Sequence, residues 1–392
     1  GNMDTYKPAE GSATRSDIAI TDPDFKYPSL WKSNIAADYK FGDGWVATVE
    51  LLYSKDINAI YHDNIGLYRT EQFVNDGGAG NARPYYNGYY SDREGNQKAA
   101  NHVVMLRNTS KGHSLYTTFQ LQKNFVDGIL KGLYLNGSYS FGQSRGVTDG
   151  TSSVATSAWK YRAALDGNAE EVGYTAGSFD GRLLLSASYT ANWSKYAATS
   201  FGLIYQRYRP FRYSYCYNGD ANGDSQFSND LMYIPANFDE VKDHLLPGDF
   251  DSQEDAWKAM NAFIEQDPYL SKHRGEYAER NGAVAPFANQ LDLSVSHDIK
   301  IYQKNGRSHT LRFSFNIANF LNLLNRNWGV VQTTVLGNQQ YQFLTIPKGQ
   351  GPSAANNYTL KYTMAKDLDE TFKDNLNDVS RWQMQFGIKY IF

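Results

Sequence analysis

The residues of this chain that are best placed to do chemistry are oxygen-bearing side chains between positions 220 and 230. Asp220, Asn222 and Asp224 alternate along the chain, and Asp230 follows six residues later. Alternate carboxylate and amide oxygens resemble the start of a calcium-binding loop, where they surround one hard cation. The sequence therefore predicts that these four residues bind a calcium ion.

The match to a calcium loop is incomplete, which leaves a second interpretation open. Ser225 stands where an EF-hand has its invariant glycine, and Leu231 stands where it has a bidentate glutamate. Asp and Asn next to Gly also form Asx turns that need no ion. The runs 218–220 and 222–223 therefore also predict a turn-rich loop without a metal.

The sequence carries few signs of catalysis. We find no His-Glu-x-x-His, phosphate-loop or dinucleotide motif, and the seven histidines are dispersed. The paired carboxylates Glu170-Glu171 and Glu254-Asp255 fall in predicted loops or helix starts, where acidic side chains are usually solvated or cap a helix. We therefore expect no enzymatic activity.

Composition excludes some classes of protein and favours others. The 392 residues carry a formal charge of −3, so neither nucleic acid nor an anionic membrane surface is an expected partner. Mean hydropathy is −0.58, while aromatic residues make up 15% of the chain. A transmembrane β-barrel hides its apolar surface by alternation and uses aromatic girdles, so it fits this composition. A large soluble β-protein fits it as well.

Apolar and polar residues alternate with period two in nine segments, which predicts nine strands. The segments are 31–41, 45–53, 115–125, 133–141, 183–193, 199–205, 291–299, 311–317 and 381–392. Most have about the 9–11 residues that a tilted strand needs to cross a bilayer, and the shorter ones are expected to extend further.

Short and long connections alternate between these strands. The short ones are Gly42-Asp43-Gly44, Val126-Asp127-Gly128, Ser194-Lys195-Tyr196 and the segment 304–307, and the long ones are about 55–113, 143–179, 209–288 and 318–380. Outer-membrane barrels have short periplasmic turns and long extracellular loops, whereas a compact soluble domain rarely contains such long loops. The pattern predicts an all-β, antiparallel transmembrane β-barrel; a β-sandwich or propeller with elaborated loops is the alternative.

Nine is an odd number, and bacterial single-chain barrels have even strand numbers. An open sheet edge in lipid also leaves backbone groups without partners. We therefore expect the chain to be the C-terminal portion of a larger barrel; a strand missed between 60 and 109 is the alternative.

The long loops contain two further patterns. Ser252 with Asp255 resembles a capping box, and an apolar stripe follows it, so 252–266 is predicted to be a helix that packs the loop. Tyrosine-rich stretches at 85–90 and 205–217 are predicted to hold loop against loop, although stacking on sugar rings is the alternative.

Four segments resemble a known family: 22–41, 218–235, 263–293 and 315–329. They are similar to the C-terminal barrel region of Oar-like TonB-dependent outer-membrane transporters, relatives of the SusC group. The resemblance implies a 22-stranded barrel filled by a plug domain, in the outer membrane of a Gram-negative bacterium. It also implies TonB-dependent import of a large nutrient of the glycan or peptide class.

The same resemblance implies partners for the chain. We find no plug domain in the sequence, so we expect an N-terminal portion, in the same gene or in a separate chain, to supply the plug and the remaining strands. TonB would act through that plug, lipid would surround the barrel, and a surface lipoprotein lid is a candidate further partner. The alternatives are an adhesin or structural barrel without transport, and a soluble carbohydrate-binding β-protein.

Two sets of site residues complete the predictions. Ile388, Tyr390 and Phe392 resemble the C-terminal signal that the barrel-assembly machinery reads. The polar parity of the strands predicts a set of lumen-facing residues, namely Asn136, Ser138, Asp292, Arg312 and Asn316.

Overall fold

The structure is a computed structural model, which describes residues 17–74, 83–89, 102–150, 152–302, 308–336, 340–353, 358–364 and 370–392. All nine predicted strands are present in one antiparallel sheet, and each pairs with the next along the chain. They are β1 (Leu30–Phe41), β2 (Trp45–Asp56), β3 (His113–Asn124), β4 (Leu133–Gly146), β5 (Arg182–Ser194), β6 (Ala197–Tyr208), β7 (Ala288–Tyr302), β8 (Ser308–Ala318) and β9 (Gln383–Ile391).

One face of this sheet is apolar from β1 to β9. The register places Ile35 opposite Leu51, Val49 opposite Phe119, and Phe119 opposite Tyr139, all on the same face. The exposed large apolar side chains of this face include Ile35, Tyr39, Val49, Leu51, Phe119, Leu121, Tyr139, Leu185, Phe201, Leu203, Ile299, Phe315, Phe386 and Ile388. The period-two pattern of the sequence is thus continuous across strands.

The opposite face is mainly polar, and its side chains bond across neighbouring strands. Asn34 donates to Glu50 at 2.6 Å, and the Thr118 and Ser140 hydroxyls lie 2.9 Å apart. Such cross-strand pairs stabilise a sheet and fix its register.

Connections alternate in length as predicted. The short ones span 42–44, 125–132 and 195–196, the second being longer than the predicted turn, and the predicted turn at 304–307 lies outside the described residues. All four long connections leave the same end of the sheet, because antiparallel strands reverse direction at each turn.

The sheet is open in the part of the chain that the structure describes. There β1 pairs only with β2, and β9 pairs only with β8. The prediction of a 22-stranded barrel is therefore not confirmed by this sheet and stays a prediction.

The described residues of the four long connections pack together and are called the loop body here. Its helices are α1 (Ala155–Lys160), α2 (Gln253–Gln266) and α3 (Phe320–Leu324), with 3₁₀ turns at Phe238–Glu240, Leu270–Lys272 and Asp378–Ser380. Its short strands are Ala59–Asn64, Leu67–Val74, Arg83–Tyr89, Val103–Thr109, Gly173–Tyr174, Arg212–Tyr215, Tyr233–Ile234, Leu245–Leu246, Glu276–Tyr277, Ala283–Val284, Gln332–Thr334, Gln340–Tyr341, Leu344–Thr345, Leu360–Tyr362 and Phe372–Asp374; Ile18–Thr21 pairs with Val103–Thr109.

The four described strands between 59 and 109 belong to small separate sheets, so they do not change the strand count of the main sheet. Gly173–Tyr174 is the one short strand among the described residues that joins it, through β4.

Aromatic residues form the core of the loop body. Tyr213, Tyr215 and Tyr217 are buried, and Tyr341 and Phe343 from the fourth connection pack against them. The prediction that the tyrosine-rich stretch packs loop against loop is confirmed for these three residues.

Helix α2 occupies nearly the predicted range and contributes buried Ala256, Met260 and Phe263 to this core. The Ser252 hydroxyl accepts from the Asp255 N–H at 3.0 Å, as the capping pattern predicts. No helix in the described ranges has the length and apolar character needed to cross a membrane.

Candidate functional site

The acidic residues predicted as metal ligands come together in the loop body. Carboxylate oxygens of Asp220, Asp224 and Asp230 lie within 4.8 Å of one another, and Asp224 and Asp230 are buried. Carboxylates that approach this closely suit one shared cation with oxygen ligands.

The backbone around the cluster forms the predicted Asx turns. The Asp220 carboxylate accepts from the N–H groups of Gly223 at 2.6 Å and Ser225 at 2.8 Å. The Asn222 side-chain oxygen accepts from the Asp224 N–H at 2.9 Å, and Ser225 adopts a left-handed φ of 66°. The turn interpretation is therefore correct for the backbone. The same turns bring the three carboxylates together.

A buried arginine from the first long connection contacts this acidic cluster. Arg83 donates to Asp230 at 3.2 Å, and both side chains are buried. Burial first, and then the nearby Asp230 and Asp220, raise the pKa of Asp224 well above its ordinary value. A divalent cation would relieve this repulsion, so Asp220, Asp224 and Asp230 fit a calcium ion, with the Asn222 amide beside them.

The five residues predicted to face the lumen all lie on the polar face of the main sheet, on β4, β7 and β8. Arg312 pairs with Asp298 of the neighbouring strand at 2.6 and 2.8 Å. The Asp292 carboxylate accepts from the Asn319 N–H at 2.8 Å. Asp292 and Asn316 line a groove of about 420 Å³. Whether this face lines a lumen stays a prediction.

The predicted assembly signal lies on the opposite face. Ile388 and Tyr390 are opposite Phe313 and Leu311 of β8, and Phe392 follows the strand with its ring exposed. Recognition by assembly machinery stays a prediction.

Sequence reasoning missed a possible nucleophile motif, Gly142-Gln143-Ser144-Arg145-Gly146, which matches Gly-x-Ser-x-Gly. The structure places it inside β4, where the Ser144 N–H donates to Ser178 Oγ at 3.0 Å. A nucleophile elbow requires a turn from a strand into a helix. The motif is therefore part of a strand here and does not present an exposed serine on such a turn.

Sequence reasoning also missed a polar cavity of about 680 Å³ in the loop body. The buried Arg162 and Arg280 line this cavity, and so does the exposed Tyr161. These arginines stand in predicted loops, and only the fold brings them to one wall.

A scan against protein-family models and searches of curated proteins and of solved structures found no significant match to the chain. The family resemblance seen in the sequence therefore stays a prediction.

Proposed function

We propose that this chain forms part of the wall of an outer-membrane β-barrel, with the loop body on the extracellular side. The observation that carries the proposal is the continuous apolar face of the nine-stranded sheet. Ile35 is 70% exposed and Phe386 is 66% exposed, at the two ends of the sheet. Soluble proteins rarely expose apolar patches beyond a few hundred Å², whereas lipid would cover this face.

The polar face supports the same proposal. Its cross-strand hydrogen bonds and the Arg312–Asp298 ion pair suit a hydrated interior. A β-sandwich would place a second apolar layer against the apolar face, and the described loop body packs around its own aromatic core instead.

The activity that we propose is TonB-dependent import of a large nutrient of the glycan or peptide class. The alternation of short and long connections supports this activity. It places the loop body, with its polar and aromatic residues, at one end of the sheet, where a ligand would enter. The plug, TonB and a lipoprotein lid are proposed partners through the sequence resemblance. An adhesin is the second candidate, because the same packed loop body would present a stable outer surface.

Uptake measured in the native host tests this function. Strains that lack the gene, or that lack TonB, should both lose uptake of the same labelled oligosaccharide or peptide, and the wild-type gene should restore it only when TonB is present. Loss of surface adhesion with unchanged uptake of every nutrient tested would favour the adhesin.

We further propose that the acidic cluster binds Ca²⁺ and stabilises the loop body. The convergence of Asp220, Asp224 and Asp230 supports this, since each comes from the third connection while Arg83 comes from the first. A bound cation would thus strengthen a point where two loops meet.

A further inference from the structure

The polar cavity of the loop body lies where the second, third and fourth long connections meet. Thr148 and Ser157 come from the second connection, Ser214 and Asn281 from the third, and Gln342 from the fourth. Its volume of about 680 Å³ lies within the 300–1,000 Å³ that is typical of small-molecule sites.

Two arginines on the cavity wall are almost fully buried. Arg162 is 5% exposed and Arg280 is 3% exposed. Both donate to the same acceptor, the carbonyl oxygen of Val147, so their guanidinium groups converge. Burial first, and then the charge of Arg280, lower the pKa of Arg162 to about 10. Two positive groups are therefore held together against their repulsion.

Neither arginine forms an ion pair with a carboxylate in the part of the chain that the structure describes. Their remaining bonds go to backbone oxygens, those of Gly167 for Arg162 and of Gly146 and Gly173 for Arg280. The Nε atoms of both arginines are buried without a hydrogen-bond partner. Carboxylates such as Glu171 act on both arginines only through space, and a buried charge without a directly bonded counter-ion is costly.

The nearby acids do not fill this role by direct contact. A Glu171 oxygen accepts from the Leu165 N–H at 2.8 Å. The two Asp149 oxygens accept from the Ala176 N–H and from the Asn281 amide, at 2.8 and 2.9 Å. The lining of the cavity thus has two arginines and one carboxylate, Asp149, whose oxygens bond Ala176 and Asn281.

We infer that this cavity binds a small anion that carries a carboxylate or phosphate group on a hydroxylated body. The arginine pair would recognise the anionic group, since guanidinium groups match both oxyanions. The serine, threonine, asparagine and glutamine side chains of the other walls would bond the hydroxyl groups. The inference goes beyond the proposed transport function, because it concerns binding in the loop body and is tested without uptake.

Calorimetric titration of the full chain in detergent tests the inference. The probes are glucuronate, glucose 6-phosphate and neutral glucose, which share a hydroxylated ring. We expect one anion to bind at least about tenfold more tightly than glucose, because charge-assisted bonds to arginine are lost with glucose. The two anions separate a carboxylate from a phosphate preference. Equal affinity for glucose and both anions, or no binding of any, would overturn the inference.

Variants locate the binding in this cavity. Arg280→Gln removes one charge, and Ser157→Trp adds bulk to the cavity from α1 while both arginines are retained. Both should weaken anion binding by about tenfold or more. Ser153→Trp is the matched control, because Ser153 is exposed, lies just before α1 and does not line the cavity. Thermal unfolding of each variant verifies folding, and unchanged anion binding by folded Ser157→Trp would refute the assignment.

Discussion

At the scale of single residues, two buried aspartates of the loop body differ in the groups that surround their carboxylates. Asp267 accepts from four donors: the Tyr215 and Thr371 hydroxyls, each at 2.6 Å, and the N–H groups of Tyr269 and Leu270. Asp224 accepts from the Gln226 N–H at 2.8 Å and from the Asn222 amide at 3.3 Å, and it also lies beside two other carboxylates. A fully bonded carboxylate stabilises a fold by itself, whereas clustered carboxylates require a cation or a proton.

Asp267→Ala should therefore destabilise the loop body. It removes four hydrogen bonds and leaves the Tyr215 hydroxyl buried with a weaker set of partners, and each unsatisfied buried group costs about 1–3 kcal/mol. Thermal unfolding followed by near-ultraviolet circular dichroism measures the loss of aromatic packing. Asp239→Ala, at an exposed position, should leave the midpoint almost unchanged. Equal midpoints for the two variants would contradict the structural role of Asp267.

Asp224→Asn should abolish stabilisation by calcium. We expect Ca²⁺ to raise the unfolding midpoint of the wild type at neutral pH and to have no such effect on the variant. Asp251→Asn, at an exposed position before α2, is the control that should respond as the wild type does. A calcium-induced shift that persists in Asp224→Asn would argue against the site.

The Asp224 carboxylate should also make the stability of the chain depend on pH when a chelator removes calcium. The pKa of Asp224 is raised in the folded state, so the folded chain binds its proton more tightly than the unfolded chain. Proton binding by Asp224 therefore stabilises the folded chain. This contribution to the free energy of unfolding is largest below the ordinary carboxyl pKa and is lost as pH rises through the folded-state pKa. Unfolding midpoints measured with EGTA from pH 5 upward should therefore decline, and the decline should be smaller in Asp224→Asn or with Ca²⁺.

At the scale of elements, the sequence predicts those strands and helices that have a local pattern of apolar and polar residues. All nine long strands and helix α2 follow from alternation or from a capping pattern, since each element separates its apolar side chains from its polar ones. The two- and three-residue strands of the loop body lack such a pattern, because their partners are distant in sequence. Ser214, for example, pairs with Gln340, and Arg83 meets Asp230 from another connection. The arginine cavity could not be predicted for the same reason.

Gly142 in β4 shows how one residue controls strand pairing. Its φ is +155°, and a Cβ atom there would lie 2.1 Å from the Leu115 carbonyl oxygen of β3. We expect Gly142→Ala to destabilise the pairing of β3 with β4, by about 1–3 kcal/mol as for other overpacked sites. Gly177→Ala is the control, because no atom lies within 4 Å of a Cβ there. Similar unfolding midpoints for both variants would show that β3 and β4 adjust to the added methyl group.

At the scale of the whole molecule, the chain has two apolar regions with different surroundings. The loop body buries its aromatic core within itself. The apolar face of the sheet remains exposed along all nine strands, although the strands supply a complete backbone ladder between neighbours. The alternation of apolar and polar residues in the sequence predicts the apolar face of the sheet. The packing of the four connections into the loop body instead depends on contacts between residues more than 100 positions apart, such as Arg280 with Val147.

If lipid covers the apolar face, a cation placed there should block insertion. Leu135 of β4 and Phe313 of β8 lie on that face, and an arginine near the bilayer midplane costs about 2–4 kcal/mol. Ser138→Arg on β4 is the matched control, because Ser138 lies on the polar face beside Gln120. We expect Leu135→Arg and Phe313→Arg to lower the amount of folded chain in the outer-membrane fraction, measured by heat-modifiable gel mobility. The Ser138→Arg variant should insert as the wild type does. Folded and membrane-inserted Leu135→Arg and Phe313→Arg, at wild-type levels, would mean that lipid does not cover this face, and the barrel proposal would fail with it.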